Sequence, residues 1–212
     1  LILAELLVER EGNIGRAAEV MDLALAKQPD APRAQILRAY LRVREGDSER
    51  ALAEMEELLA RAPGLTDARQ VAADAELALG QFDAALARMD AMADKGPLNA
   101  KQLMVKARAN AGLGDKAATK KLIAEAFKLA KEEKDLQSQV NCIRTMVRLR
   151  DVASASAWLD EVASANAKFA EGPLKAEIAG DIASIQGDTA AAAAAYWAAV
   201  DAAPTPARLQ KW

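Results

Sequence analysis

The stretch Gly46–Pro63, GDSERALAEMEELLARAP, returns 34 residues later as Gly80–Pro97, GQFDAALARMDAMADKGP. Both stretches open on glycine and close on proline, with Ala51 and Ala85, then Met55 and Met89, at matching places. Upstream, Gly12, Ala17, Met21 and Pro29 keep the same step of 34, and downstream Gly114 continues the glycine series. A fixed period of this size is the signature of stacked helix–turn–helix units. Inside a unit the apolar residues fall at helical spacing, as in Ala17, Val20, Met21, Ala24 and Leu25. Proline then ends the helix, because it cannot continue one and restricts the residue before it. The composition agrees: 52% hydrophobic residues but only 4% aromatic, with many alanines, the best helix formers. No segment alternates β-branched and polar residues as strands do.

The period divides the 212 residues into units at about 1–29, 32–63, 66–97, 98–134, 136–170 and 173–204, with 205–212 starting a further helix. Together they predict one continuous repeat domain, since each repeat packs on its neighbours rather than around a core of its own. The fourth unit has a second helix, KAATKKLIAEAFKLAKEEK, without a proline stop, and the fifth has Arg150 where a turn glycine is expected, 36 residues after Gly114. Its second helix is predicted to run through SASAWLDEVASANAKFA, residues 154–170. The chain opens at Leu1 inside an apolar helical pattern, without Met or a signal-like segment, so both ends read as cut from a longer protein. No apolar run approaches a membrane span.

These residues resemble a tetratricopeptide repeat array. That family places a small residue seven positions before the turn, and here stand Ala39, Ala73, Ala107 and Gly180. Its second helix carries Ala-x3-large, matched by Ala17/Met21, Ala51/Met55, Ala85/Met89, Ala155/Leu159 and Ala192/Tyr196. Two antiparallel helices approach closely where one offers a small side chain and the other a large one to fill the gap. The departures are Thr119 and Ile143 at small positions, and Leu1, Gln35, Arg69, Leu103, Gln139 and Ala176 at the family's tryptophan site. The resemblance implies an all-α, right-handed α-solenoid of about six antiparallel helix pairs.

Catalytic chemistry finds few carriers. The chain has no histidine and one cysteine, which removes the commonest general base and the usual zinc ligands. Cys142 falls at a core position and is expected to be a buried structural thiol. The carboxylate pairs Glu56-Glu57 and Glu132-Glu133 fall on exposed helix faces. In residues 112–116, GLGDK, the third glycine of a dinucleotide fingerprint is missing and no strand precedes it, so it is expected to be an interhelix turn. The segment is therefore expected to be no enzyme and to hold no cofactor or metal.

In similar repeat arrays the first helix of each pair lines a groove. Carried over by offset from the turn, the resemblance places Arg33, Ile36 and Tyr40 there in the second unit, and Asp67, Gln70 and Asp74 in the third. Lys101, Met104 and Arg108 follow in the fourth, Gln137, Val140, Arg144 and Arg148 in the fifth, and Leu174, Glu177 and Asp181 in the sixth. Trp158 and Trp197 fall on second helices and are expected to pack between repeats. The net charge of -3 argues against nucleic-acid binding. Residues 101–150, however, carry 12 Lys or Arg against 5 Asp or Glu. Arg108, Arg144 and Arg148 suit an acidic or C-terminal peptide, guanidinium forks matching carboxylates well. The plainer reading is that they pair with Asp74 or Asp181 and only solubilise the face.

The resemblance implies a non-catalytic protein–protein interaction scaffold, such as a repeat module of a bacterial export, envelope or polysaccharide-assembly system, in cytoplasm or periplasm. The alternative is a regulatory or substrate-docking domain of a larger enzyme or transcription regulator. Self-association through terminal repeats is a third possibility, since an open terminal repeat exposes apolar surface.

Overall fold

In the computed structural model, residues 3, 7 and 13–203 are described. They fall into two compact units, residues 1–119 and 120–212, with the boundary in the first turns of one helix. The expected Gly12 turn and the helix after Thr205 lie outside the described residues.

The first unit contains α1 (Ile14–Lys27), α2 (Pro32–Glu45), α3 (Ser48–Arg61), α4 (Thr66–Ala78), α5 (Phe82–Ala93) and α6 (Ala100–Gly112), and the start of α7 (Lys116–Glu132). Helices α2 and α3 form one antiparallel pair and α4 and α5 the next, while α2, α4 and α6 lie side by side as a layer of first helices. The second unit continues with α8 (Leu136–Arg148), α9 (Val152–Ala165), the short α10 (Ala167–Ala170), α11 (Pro173–Gln186) and α12 (Thr189–Ala202). There α8 pairs with α9, and α11 with α12. All the described elements are helices.

The core is built on the repeat positions. Met21, Met55 and Met89 are fully buried, as are Ala17, Ala51 and Ala85 across from them and Ala39, Ala73 and Ala107 on the first helices. Each buried Met side chain contributes about 2 kcal/mol of apolar burial. Cys142 is likewise buried, and loss of solvation, with the nearby Asp135 charge, pushes its thiol up to about 12. Thr119 replaces an alanine without an unpaired hydroxyl, since its Oγ1 donates to the Asp115 carbonyl at 2.6 Å.

The turns explain the glycines. Gly46, Gly80, Gly114 and Gly187 all have φ between 73° and 92°, the left-handed region where a side chain is strained. After each, the next N–H donates back to a carbonyl in the last helical turn, as Asp47 to Arg42 at 2.9 Å and Asp188 to Ala183 at 3.0 Å. Arg150 makes the same turn at φ 56°, with Asp151 N–H on the Met146 carbonyl at 3.0 Å. Lys134, also at φ 56°, supplies the stop that the fourth unit lacks in sequence. One predicted helix is shorter than expected. Asn166 breaks residues 154–170, because its side chain accepts from Phe169 N–H at 3.0 Å and caps α10 instead of continuing α9.

Candidate functional site

In each unit the face presented by the first helices is a candidate site. In the first unit, Tyr40 on α2 is half-buried against the core, and its hydroxyl accepts from Arg44 Nη1 at 3.1 Å. Arg33 and Lys101 are exposed, while Gln70 and Met104 are half-buried. Asp74 and Arg108, 34 residues apart, join α4 to α6 by an ion pair at 3.1 Å. Burial raises the Asp74 carboxyl above its ordinary value, and Arg108 partly offsets this. Arg108 is thus engaged rather than a free cation, as the plainer reading of the sequence anticipated.

In the second unit, Arg144 and Arg148 lie one turn apart on α8. Arg144 stands 3.7 Å from Glu177, outside hydrogen-bonding reach, and Arg148 is exposed with no ion pair among the described residues. The other acid proposed as a partner, Asp181, instead accepts from the Tyr196 hydroxyl at 2.8 Å. Burial and that neighbouring carboxylate push the Tyr196 phenol well above its usual range. Trp158 packs between neighbouring second helices as expected, stacked on Phe127 with centroids 4.3 Å apart and planes 7° from parallel. Trp197, on α12, is 52% exposed.

The opposite side of the first helices holds polar residues that the groove offsets overlook. Arg38 and Arg42 are each only 8% exposed and Glu76 only 4%. Arg42 Nε donates to Glu54 at 2.9 Å, and Arg88 Nε donates to Glu76 at 3.0 Å. These are the same pair in consecutive repeats with polarity reversed: four residues before the turn glycine, and eight after it. Arg38 adds bonds to Asp22 at 2.7 Å and Glu45 at 2.9 Å, and Arg88 also pairs with Glu56. The signal was present as opposite charges 12 residues apart across two consecutive turns, Arg42/Glu54 and Glu76/Arg88. Three of the tryptophan-site substitutions are explained too. Gln35 donates to the Pro29 carbonyl at 2.6 Å, Arg69 to the Pro63 carbonyl, and Gln139 to the Ala130 carbonyl at 3.2 Å. These polar side chains close the connection from the preceding helix.

Family comparison agrees with this geometry. The tetratricopeptide repeat pattern matches residues 42–109 in one form and 6–66 in another. Residues 6–109 belong to the tetratricopeptide repeat family. Protein binding as a scaffold is the usual role of such repeats. Among solved structures it is similar to a tetratricopeptide repeat protein from Parabacteroides merdae, with TM-score 0.69 and 16% identity over 96% of this chain and 78% of that one. It is also similar to PilW, a type IV pilus biogenesis factor (TM-score 0.66, 18% identity, 99% and 94% covered). A third is YrrB, described as having an unusual peptide-binding site (0.53, 15%, 92% and 97%). At these identities the structural likeness speaks to the fold alone. No curated protein matches the chain.

Among the described residues, no group of His, Cys, Asp and Glu could hold a metal ion, and no helix is long and apolar enough to cross a membrane.

Proposed function

We propose that this chain is a non-catalytic scaffold whose first-helix face receives an acidic or C-terminal peptide segment, and that Arg144 and Arg148 read its charge. The observation that carries the proposal is the state of these two guanidinium groups. They share one face of α8, Arg144 keeps a looser ion pair than Arg108 does, and Arg148 has none. A guanidinium fork without a bound acceptor is suited to a carboxylate. Separately, the first unit's own first-helix face carries Tyr40, an aromatic of the type enriched at binding hot spots. A repeat module of an export, envelope or pilus-like assembly is the setting we favour, given the fold shared with a pilus biogenesis factor.

The test is anisotropy with a panel of labelled acidic and neutral peptides. The proposal expects a preference for acidic sequences, reduced about tenfold in Arg144→Glu/Arg148→Glu. Arg108→Glu should have a smaller effect, since that residue is already paired. Equal binding of acidic and neutral peptides, or of native and double variant, would remove the charge-reading role.

A further inference from the structure

A cleft of about 280 Å³ opens in the first unit between the connections that follow α3 and α5. Arg69 of α4, Lys95 after α5 and Gln102 of α6 bring polar groups to it, and Met92 and Leu98 line it with apolar surface. Its wall contains two cations and no carboxylate. Asp67 and Asp94, adjacent in sequence to lining residues, are exposed and outside the wall.

Three side chains keep donors without acceptors among the described residues. Gln102 is only 5% exposed. Its Oε1 accepts from Asn99 N–H at 3.0 Å, whereas its Nε2 amide has no acceptor among the described residues. Buried donors are almost always paired, so this amide calls for a partner. Arg69 spends Nη2 on the Pro63 carbonyl, leaving Nε and Nη1 without an acceptor among the described residues. Lys95 is exposed and forms no ion pair among the described residues. In addition, α4 begins beside the cleft at Thr66 with no side-chain cap, so first-turn N–H groups add positive potential there. A second cleft, of about 230 Å³ between α1 and α3, makes the contrast: there Arg38, Arg42 and Arg61 share the wall with Glu54 and Glu57.

We propose that the 280 Å³ cleft binds a carboxylate carried beside an apolar side chain, as found at the C-terminus of a peptide. The carboxylate meets Arg69, Lys95 and the Gln102 amide, and the apolar group lies on Met92 and Leu98. This site is separate from the Arg144/Arg148 face and does not depend on it.

The test titrates the ¹⁵N-labelled chain with acetyl-alanyl-leucine as free acid, with the same compound as its amide, and with inorganic phosphate. The expected result is saturable shifts at Gly64, Gly96 and the Gln102 side-chain amide. The acid should bind about tenfold more tightly than the amide, the value of one charge-assisted hydrogen bond. Arg69→Gln should lower affinity about as much. Lys95→Ala, at an exposed position that cannot endanger folding, should lower it about threefold. Equal binding of acid and amide, no shift at Gly64, Gly96 and the Gln102 amide, or no effect of Lys95→Ala would overturn the proposal. Phosphate binding as tightly as the acid would also overturn it, because the apolar wall would then contribute nothing.

Discussion

The first unit keeps the 34-residue period and the second departs from it, yet both build the same turn and the same kind of helix pair. In the first, Gly46, Gly80 and Gly114 accept the left-handed backbone at the turns within helix pairs, and buried Met and Ala recur at the repeat positions. In the second, Arg150 takes that backbone with a side chain attached, and the packing relies on larger groups: Phe127 on Trp158, and Tyr196 over Gly180. The polar content differs as well. The first unit buries the reversed pairs Arg42–Glu54 and Glu76–Arg88 beside its core, where the fifth helix pair has Met146 instead, four residues before its turn. The lesson is that the turn geometry and the small-against-large packing are required, while the residues meeting those requirements can be exchanged.

The largest expected effect tests the buried pairs. Glu76→Ala leaves Arg88 with only the exposed Glu56, and breaking a buried pair in this way should cost about 3 kcal/mol in urea unfolding. If the polarity is truly interchangeable, Glu76→Arg with Arg88→Glu should recover most of that loss. A double variant as unstable as the single one would show that each repeat needs its own polarity.

Close approach comes next. A Cβ on Gly180 would sit 2.5 Å from the Tyr196 ring, and one on Gly112 would sit 2.4 Å from Phe82. Alanine at either should destabilise by about 2 kcal/mol through overpacking. A neutral result at Gly180 alone would mean that the second unit packs more loosely than the first.

The turn of the fifth pair carries two smaller effects of opposite sign. Arg150→Gly should stabilise by about 1 kcal/mol, read as a rise in melting temperature, because it removes the cost of a side chain in the left-handed region. Asp151 caps α9, accepting from Ser154 N–H at 3.3 Å, and pairs with Lys120 at 2.6 Å. The Lys120 ammonium, followed by that N–H, holds its carboxyl below the ordinary 3.8. The stability it contributes is therefore present above pH 3.8 and lost as pH falls through the lower folded value. Asp151→Ala should cost about 1 kcal/mol near neutral pH, and the difference from native should vanish in strong acid.

The smallest expected signal is chemical. With its thiol at about 12 and no exposure, Cys142 should not react with an aromatic disulfide at pH 8 until the chain is unfolded. Raised above the free value of 9.0, this group gives stability that is intact below pH 9 and declines as pH rises toward 12. Fast labelling of the folded chain would show that the fifth pair opens readily.

Much of the fold was legible in residues that repeat. Gly46, Gly80 and Gly114 announced left-handed turns, Ala51 and Met55 announced a close helix contact, and the buried position of Cys142 followed from its distance to the turn. The candidate site was legible only as positions. Arg108 and Arg144 were placed on first helices by their offset, but one is bound to Asp74 at 3.1 Å and the other stands 3.7 Å from Glu177. Sequence spacing gives the direction of a side chain along its own helix, not the reach of the acid across from it.

The sequence by itself determined that this protein is an all-α tetratricopeptide array, where its helices turn, and which small and large residues meet. Those properties depend on backbone conformation and on side-chain size at fixed spacing, and both repeat along the chain. Only the tertiary structure decided how the polar residues are used. Gln35, Arg69 and Gln139 close connections by bonding carbonyls six to nine residues earlier, Arg42 and Glu76 find partners across a turn, and the Gln102 amide is left facing a cleft. A hydrogen bond depends on distances of a few tenths of an ångström between atoms on different helices, and those distances exist only once the helices have packed.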